Sequence, residues 1–171
     1  MDSENRVKPK SESWINANAV LGLLILAILA FFLLRTWPEY KRYVANANCV
    51  SNIKQIVRTC RSYAQSHQNQ LPPDLETLQK DGLISSKNLI CPVSHGAKIP
   101  SSYLYFGAGF KLEDLDEKTI LLAERERNHG RKNQVFLLGL GDNHIEVVGD
   151  PGDLATIARK NGWKLPGAEK P

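Results

Sequence analysis

Residues 19–34 read AVLGLLILAILAFFLL, and residues 39–67 follow as EYKRYVANANCVSNIKQIVRTCRSYAQSH. The first stretch lies in a longer segment, Ser13 to Leu34, that contains no Asp, Glu, Lys or Arg. Crossing a hydrocarbon core of ~30 Å takes ~20 mostly apolar helical residues. Trp14 and Trp37 flank the block, where amphipathic rings favour the headgroup level. In the second stretch there is neither glycine nor proline. Cys49, Val50, Ile53, Ile56, Val57, Cys60, Tyr63 and Ala64 recur at steps of three and four, which places them on one helical stripe. Lys54, Arg58, Arg61 and Gln65 fall on the other side. The reading is a transmembrane helix over 19–37 that continues into an amphipathic stem over 38–68. Pro38 between them removes one backbone bond and is expected to kink a nearly continuous helix rather than end it.

Working outward, residues 1–18 are polar and rich in Ser, Asn, Lys and Glu, the composition of a short disordered tail. The apolar block is too long for a cleaved signal peptide and is expected to stay as an anchor. Orientation does not follow from charge: Arg6, Lys8 and Lys10 precede the span, and Arg35, Lys41 and Arg42 follow it. The net charge of +4 is spread out, with no basic stripe dense enough for nucleic acid, so none is expected as a partner. A mildly basic surface suits anionic lipid.

Beyond the stem, residues 69–165 read as one small α+β head and 166–171 as a loose tail. Gln68-Asn69-Gln70 and Leu71-Pro72-Pro73 stop the stem. Asp74 is placed to cap a short helix that ends at Asp81-Gly82. Strand-like runs cover 102–106, 119–123, 134–140 and 144–148, the last two flanking Gly141-Asp142-Asn143, which is hairpin chemistry. A last helix is expected over 154–160, capped by Asp150 or Asp153 and closed by Asn161-Gly162, with Trp163 and Leu165 packing back. The expected fold is therefore a long N-terminal helix, half transmembrane and half amphipathic, packed on a small antiparallel sheet of about four strands.

Cys49, Cys60 and Cys91 allow one internal bridge. Eleven helical residues between Cys49 and Cys60 are ~16 Å of rise, whereas a bridge needs Cα atoms within roughly 7 Å. Cys91 is left to pair with either, or all three are buried thiols.

The motifs in order are Cys49-Val50-Ser51-Asn52-Ile53-Lys54-Gln55-Ile56, Tyr63-Ala64, Leu71-Pro72-Pro73, Cys91-Pro92, Asn128-His129-Gly130 and Asp142-Asn143-His144-Ile145-Glu146. Together they resemble type IV pilins, the pseudopilins of type II secretion and, more closely, bacterial pilin-like exported proteins. The likeness runs from about Val20 to Trp163. It implies an inner-membrane, single-pass protein with its head outside the cytoplasm, other pilin-like or secretion-system subunits as partners, and Cys49 as the partner of Cys91. It also implies structural roles in the hairpin and loop for His129, Gly130, Asp142, Asn143 and His144. Pilin precursors carry Gly-Phe-Thr-Leu-x-Glu at the start of the span. Ala17-Asn18-Ala19-Val20 stands there in this chain, so the protein is expected to remain uncut.

Catalytic, cofactor-binding and metal-binding residues are not expected. His129, Asp142 and His144, with His95, are the types zinc takes, but no H-E-x-x-H or paired-cysteine spacing supports them. Cys91 is the one plausible nucleophile among the cysteines, and no G-x-S-x-G elbow is present. Gly107-Ala108-Gly109 reads as a turn, and Glu124-Arg125-Glu126-Arg127 as a solvated strand end or loop, with a subunit or partner contact as the alternative. The expected function is a membrane-anchored, non-enzymatic pilin-like structural or assembly protein. The alternatives are a non-polymerising extracytoplasmic binding module or stator-like partner of an envelope complex, and a membrane-bound metal-dependent hydrolase.

Overall fold

The structure, a computed structural model, describes residues 12–93, 100–125, 129, 135–149 and 152–166, with side chains from residue 17 onward. Helix α1 runs Glu12–Ser66. It takes in residues 12–18, which composition alone assigns to the tail, and it carries Pro38 in its interior. The chain forms two compact units, Met1–Lys41 and Arg42–Pro171.

In the first unit every described apolar residue is exposed, from Val20 to Leu34 and Trp37. A helix that is apolar all round and has no protein packed on it is the form a membrane span takes, because the helix satisfies its own backbone. α1 is long and apolar enough to cross a membrane. Just past the apolar block, Thr36 Oγ1 donates to the Phe32 carbonyl at 3.0 Å, and Lys41 Nζ stands 5.3 Å from the centre of the Trp37 ring.

In the second unit the stem half of α1 buries Cys49, Ile53, Ile56, Val57, Cys60 and Ala64 completely. These are the inner members of the expected stripe, and Val50 and Tyr63 pack at its edges. α1 ends where Gln68 and Asn69 take positive φ, 55° and 62°, and the Asn69 N–H returns to the Ala64 carbonyl. Helix α2, Leu75–Lys80, is capped by Asp74, whose carboxylate accepts from the Thr77 N–H at 2.7 Å.

Four strands follow: β1 Tyr103–Tyr105, β2 Ile120–Glu124, β3 Phe136–Leu140 and β4 Ile145–Val148. They form an antiparallel meander in the order β1-β2-β3-β4. Helix α3, Leu154–Asn161, is capped by Asp153 and ends at Gly162 in the left-handed region. The α+β expectation is met: a long N-terminal helix packs on a four-stranded antiparallel sheet. The sheet has cores on both faces, which explains why β2 and β3 are buried at every position. Leu121, Leu122 and Leu137 join the stem, whereas Ile120, Ala123, Phe136, Leu138 and Leu140 join Ile157 and Ala158 of α3, with Trp163 and Leu165 against them.

Adjacent Leu121 and Leu122 share a face because β2 carries an irregularity. Ile120 pairs with Leu140 and Leu122 with Gly139, so one extra residue sits on β2. A bulge of this kind breaks the period-2 alternation and turns the strand beyond it.

The polar side of the stem is not wholly solvated as expected. Arg61 is part-buried and its guanidinium donates to the Gly141 carbonyl at 2.6 Å. With its amide turned to satisfy both neighbours, Asn143 donates to the Lys54 carbonyl and accepts from Arg58 Nε, each at 3.0 Å. Asn143 has φ 77°, a conformation Asn tolerates. The β3–β4 turn is thus pinned to the stem.

Candidate functional site: a buried cysteine, glutamate and histidine cluster

Asn46 and Cys49, three residues apart on α1, lie on one face of the helix. Opposite them the chain after the turn Ser86–Leu89 brings in Cys91. Two bonds to the start of β1 fix that segment: the Ser102 N–H donates to the Leu89 carbonyl at 2.7 Å, and the Cys91 N–H donates to Ser102 Oγ at 3.0 Å. Cys49 and Cys91 form a disulfide with Cα atoms 5.2 Å apart. Cys60 stays free and buried.

Two ionisable side chains stand against this bridge. Glu124 ends β2, on the stem side set by the bulge, two residues beyond Leu122. The β2–β3 ladder pairs Ala123 with Leu138, and just past it Glu124 Oε2 accepts the Leu137 N–H at 2.9 Å. His129 is placed by an antiparallel bridge to Val135, with N–H···O distances of 2.9 and 3.0 Å. Its Nε2 lies 2.9 Å from Glu124 Oε1 and 3.5 Å from Cys91 Sγ, and its Nδ1 lies 2.9 Å from Asn46 Oδ1. Exposure is 0% at Cys49, 3% at Cys91, 6% at Glu124 and 4% at His129, so the whole group is out of water.

A buried carboxylate is tolerable only if it is paired and hydrogen-bonded. Glu124 meets both needs through His129 and the Leu137 N–H. Oxygen atoms face the imidazole on both sides, Glu124 Oε1 at Nε2 and Asn46 Oδ1 at Nδ1. Replacing one partner would strand the other.

Glu124 corrects the expectation of a solvated strand end. Its neighbours in sequence are charged, but strand register turns it inward onto a histidine five residues on. Among the described residues the His129 ring meets Asn46, Glu124 and Cys91. His144 stands apart on the surface, its side chain 61% exposed and 3.5 Å from Glu146, while its N–H donates to Asp142 Oδ1 at 2.8 Å. Among the described residues, the one group of metal-competent side chains is Cys49, Cys91, Glu124 and His129, so His129, Asp142 and His144 are not brought together. Gly130 and His95 lie outside the described residues.

The cysteine nucleophile finds no support at Cys91, whose sulfur is bonded to Cys49. At Cys60, burial pushes the thiol up to about 12 against a weaker opposing bond from Tyr105, so it is no nucleophile at neutral pH. Gly107 to Gly109 leads only to a turn whose Phe110 N–H returns to the Gly107 carbonyl at 3.1 Å. Sequence reasoning missed Asn46 and the inward role of Glu124; the one local signal was an acidic residue closing an apolar strand.

Compared with models of protein families, with curated proteins and with solved structures, the chain matches none.

Proposed function

We propose that this chain is a membrane-anchored, non-enzymatic structural or assembly protein of pilin or pseudopilin type, held in a bacterial inner membrane with its head outside the cytoplasm. The observation that carries the reading is α1, one helix bearing a charge-free apolar block and, further along, the stripe that packs on the sheet. A fully exposed apolar block needs lipid or neighbouring spans around it. The Cys49–Cys91 disulfide supports an oxidising compartment for the head. Lipid and other pilin-like or secretion-system subunits are the partners this reading names.

A second reading, a non-polymerising extracytoplasmic module or stator-like partner, draws on a single feature. The apolar block contains no Glu, the residue that registers neighbouring subunits in the fibres of the proteins it resembles.

Full-length protein in bacterial membranes, carrying a photo-cross-linker at Leu24 or Phe31, tests both. Carbonate-resistant membrane association is expected, with the head digested by protease in spheroplasts. A ladder of homotypic cross-links supports assembly; a single heterotypic product supports the module. Release by carbonate, or a head digested only after lysis, would overturn the placement.

A further inference from the structure

The Cys49–Cys91 disulfide does not account for everything built around it. Glu124 and His129 are buried against it, and each is fastened at its far atom. His129 Nδ1 rests on Asn46, and Glu124 Oε2 holds the Leu137 N–H. Their other atoms, Nε2 and Oε1, lie 2.9 Å apart, and Nε2 is 3.5 Å from Cys91 Sγ. One atom from each of the four side chains lies within 4.8 Å of all the others.

We propose that, once the disulfide is reduced, Cys49, Cys91, His129 and Glu124 form a closed tetrahedral site for one Zn²⁺. The chemistry of the set is that of a structural zinc centre, thiolates and imidazole completed by a carboxylate, with no open position for water. Zinc–ligand distances of ~2.3 Å to sulfur and ~2.0–2.2 Å to nitrogen and oxygen put the ligand atoms of a tetrahedron roughly 3.3–3.8 Å apart. The Cys91 Sγ to His129 Nε2 distance is already 3.5 Å. Two pairs must open: the two sulfurs, which separate when their bond is cut, and His129 Nε2 and Glu124 Oε1, which stand 2.9 Å apart before the metal comes between them. Asn46 plays the outer role that ligating histidines require: an acceptor on Nδ1–H that fixes the tautomer and leaves the Nε2 lone pair inward.

The steps balance. A dithiol gives up two electrons and two protons and becomes a disulfide, while the protein disulfide becomes two thiols. Zn²⁺ then displaces the two thiol protons and any proton on the imidazole Nε2, each released to solvent. The bound site holds two thiolates, one carboxylate, a neutral imidazole and the metal, for a net charge of −1. The fold thus accepts one of two mutually exclusive clips between stem and loop, a covalent one under oxidising conditions and a metal one under reducing conditions.

The test uses the full chain in detergent, oxidised or reduced with tris(2-carboxyethyl)phosphine, which takes oxygen from water as the disulfide becomes two thiols. Zn²⁺ content and Co²⁺ absorption are read. The reduced protein is expected to take up one equivalent of Zn²⁺ and to show a thiolate-to-Co²⁺ charge-transfer band in the near ultraviolet. The oxidised protein is expected to show neither. Cys91→Ser and His129→Gln should abolish stoichiometric binding, Cys60→Ser should leave it intact, and Asn46→Ala should weaken it roughly 10- to 100-fold. His129→Cys keeps a zinc ligand and should retain binding with a stronger thiolate band, which separates loss of a ligand from loss of the fold. No uptake by the reduced protein, uptake unchanged in both Cys91→Ser and His129→Gln, or uptake lost in Cys60→Ser would each overturn the proposal.

Discussion

Gly139 lies directly beneath Ile53: a Cβ on the glycine would stand 2.6 Å from Ile53 Cγ2 and 3.0 Å from Val57 Cγ2. The stem can approach the sheet this closely only because β3 has no side chain at that point. Gly139→Ala should therefore destabilise the head by about 1–3 kcal/mol, the usual cost of overpacking. Ile53→Ala alone should cost about 2–5 kcal/mol through the cavity it leaves. The double variant should be more stable than the sum of the two losses, since each change relieves the other. Urea unfolding of the four proteins measures the coupling; strict additivity would mean that the helix shifts freely.

The two faces of the stem should respond differently, and the polar face unevenly. Lys54 is exposed and its side chain should be replaceable by Ala within ~0.5 kcal/mol. Arg61→Ala removes a charged donor from the Gly141 carbonyl and should cost about 1.5–3 kcal/mol. Arg58→Ala should fall between them, because Arg58 is exposed although it is bonded to the half-buried Asn143. Equal values for all three would show that the turn is not pinned.

Tyr103 is fully buried, and its hydroxyl lies near Asn52 without the geometry of a hydrogen bond. An enclosed donor without a partner costs about 1–3 kcal/mol. Tyr103→Phe should leave stability unchanged or raise it by about 1 kcal/mol. A loss above that in thermal or urea unfolding would reveal a hydroxyl bond.

Cys60 should give an alkaline limb to stability. Burial holds its folded value at about 12, above the ordinary 9.0, so the folded state keeps the proton that the unfolded chain releases. The contribution is complete below pH 9 and is lost as pH rises from 9 toward 12, by at most about 1.4 kcal/mol per pH unit. Cys60→Ala should flatten this limb, and the native thiol should resist alkylation at pH 8. Rapid labelling at pH 8 without denaturant would contradict the burial.

Removing the Cys49–Cys91 bridge, which spans 42 residues, should lower stability by about 4 kcal/mol in the chain-entropy estimate. Cys91→Ser in the absence of metal, compared with the parent by urea unfolding, measures it.

The long elements were legible because their signals are local. The stripe from Cys49 to Ala64, the caps Asp74 and Asp153 and the turn at Asn143 each depend on residues a few positions apart. The cluster was not legible as a cluster, since its members span residues 46 to 129 and meet only through sheet register. The bulge between Ile120 and Leu122 is the step that no alternation pattern carries, and it lies between Glu124's sequence neighbourhood and its true surroundings. Arg61 and Arg58 were misread for the same reason: their partners lie about 80 residues away on a turn.

The Cys49–Cys91 clip also decides how the head bears load. Cys49 is the first fully buried residue of α1 after the apolar block, so tension transmitted along the helix from an anchored end reaches the packed stripe there. Without a crosslink the helix would peel from the head one turn at a time, starting at the turn of Ala45, Asn46 and Cys49. With the loop at Cys91 tied to it, and that loop tied in turn to Ser102 of the sheet layer, the pull is shared with β1 before any turn of the stripe can lift. Forced extension of the single molecule should therefore show one high-force rupture with the bridge closed and a gradual, low-force unzipping with it open.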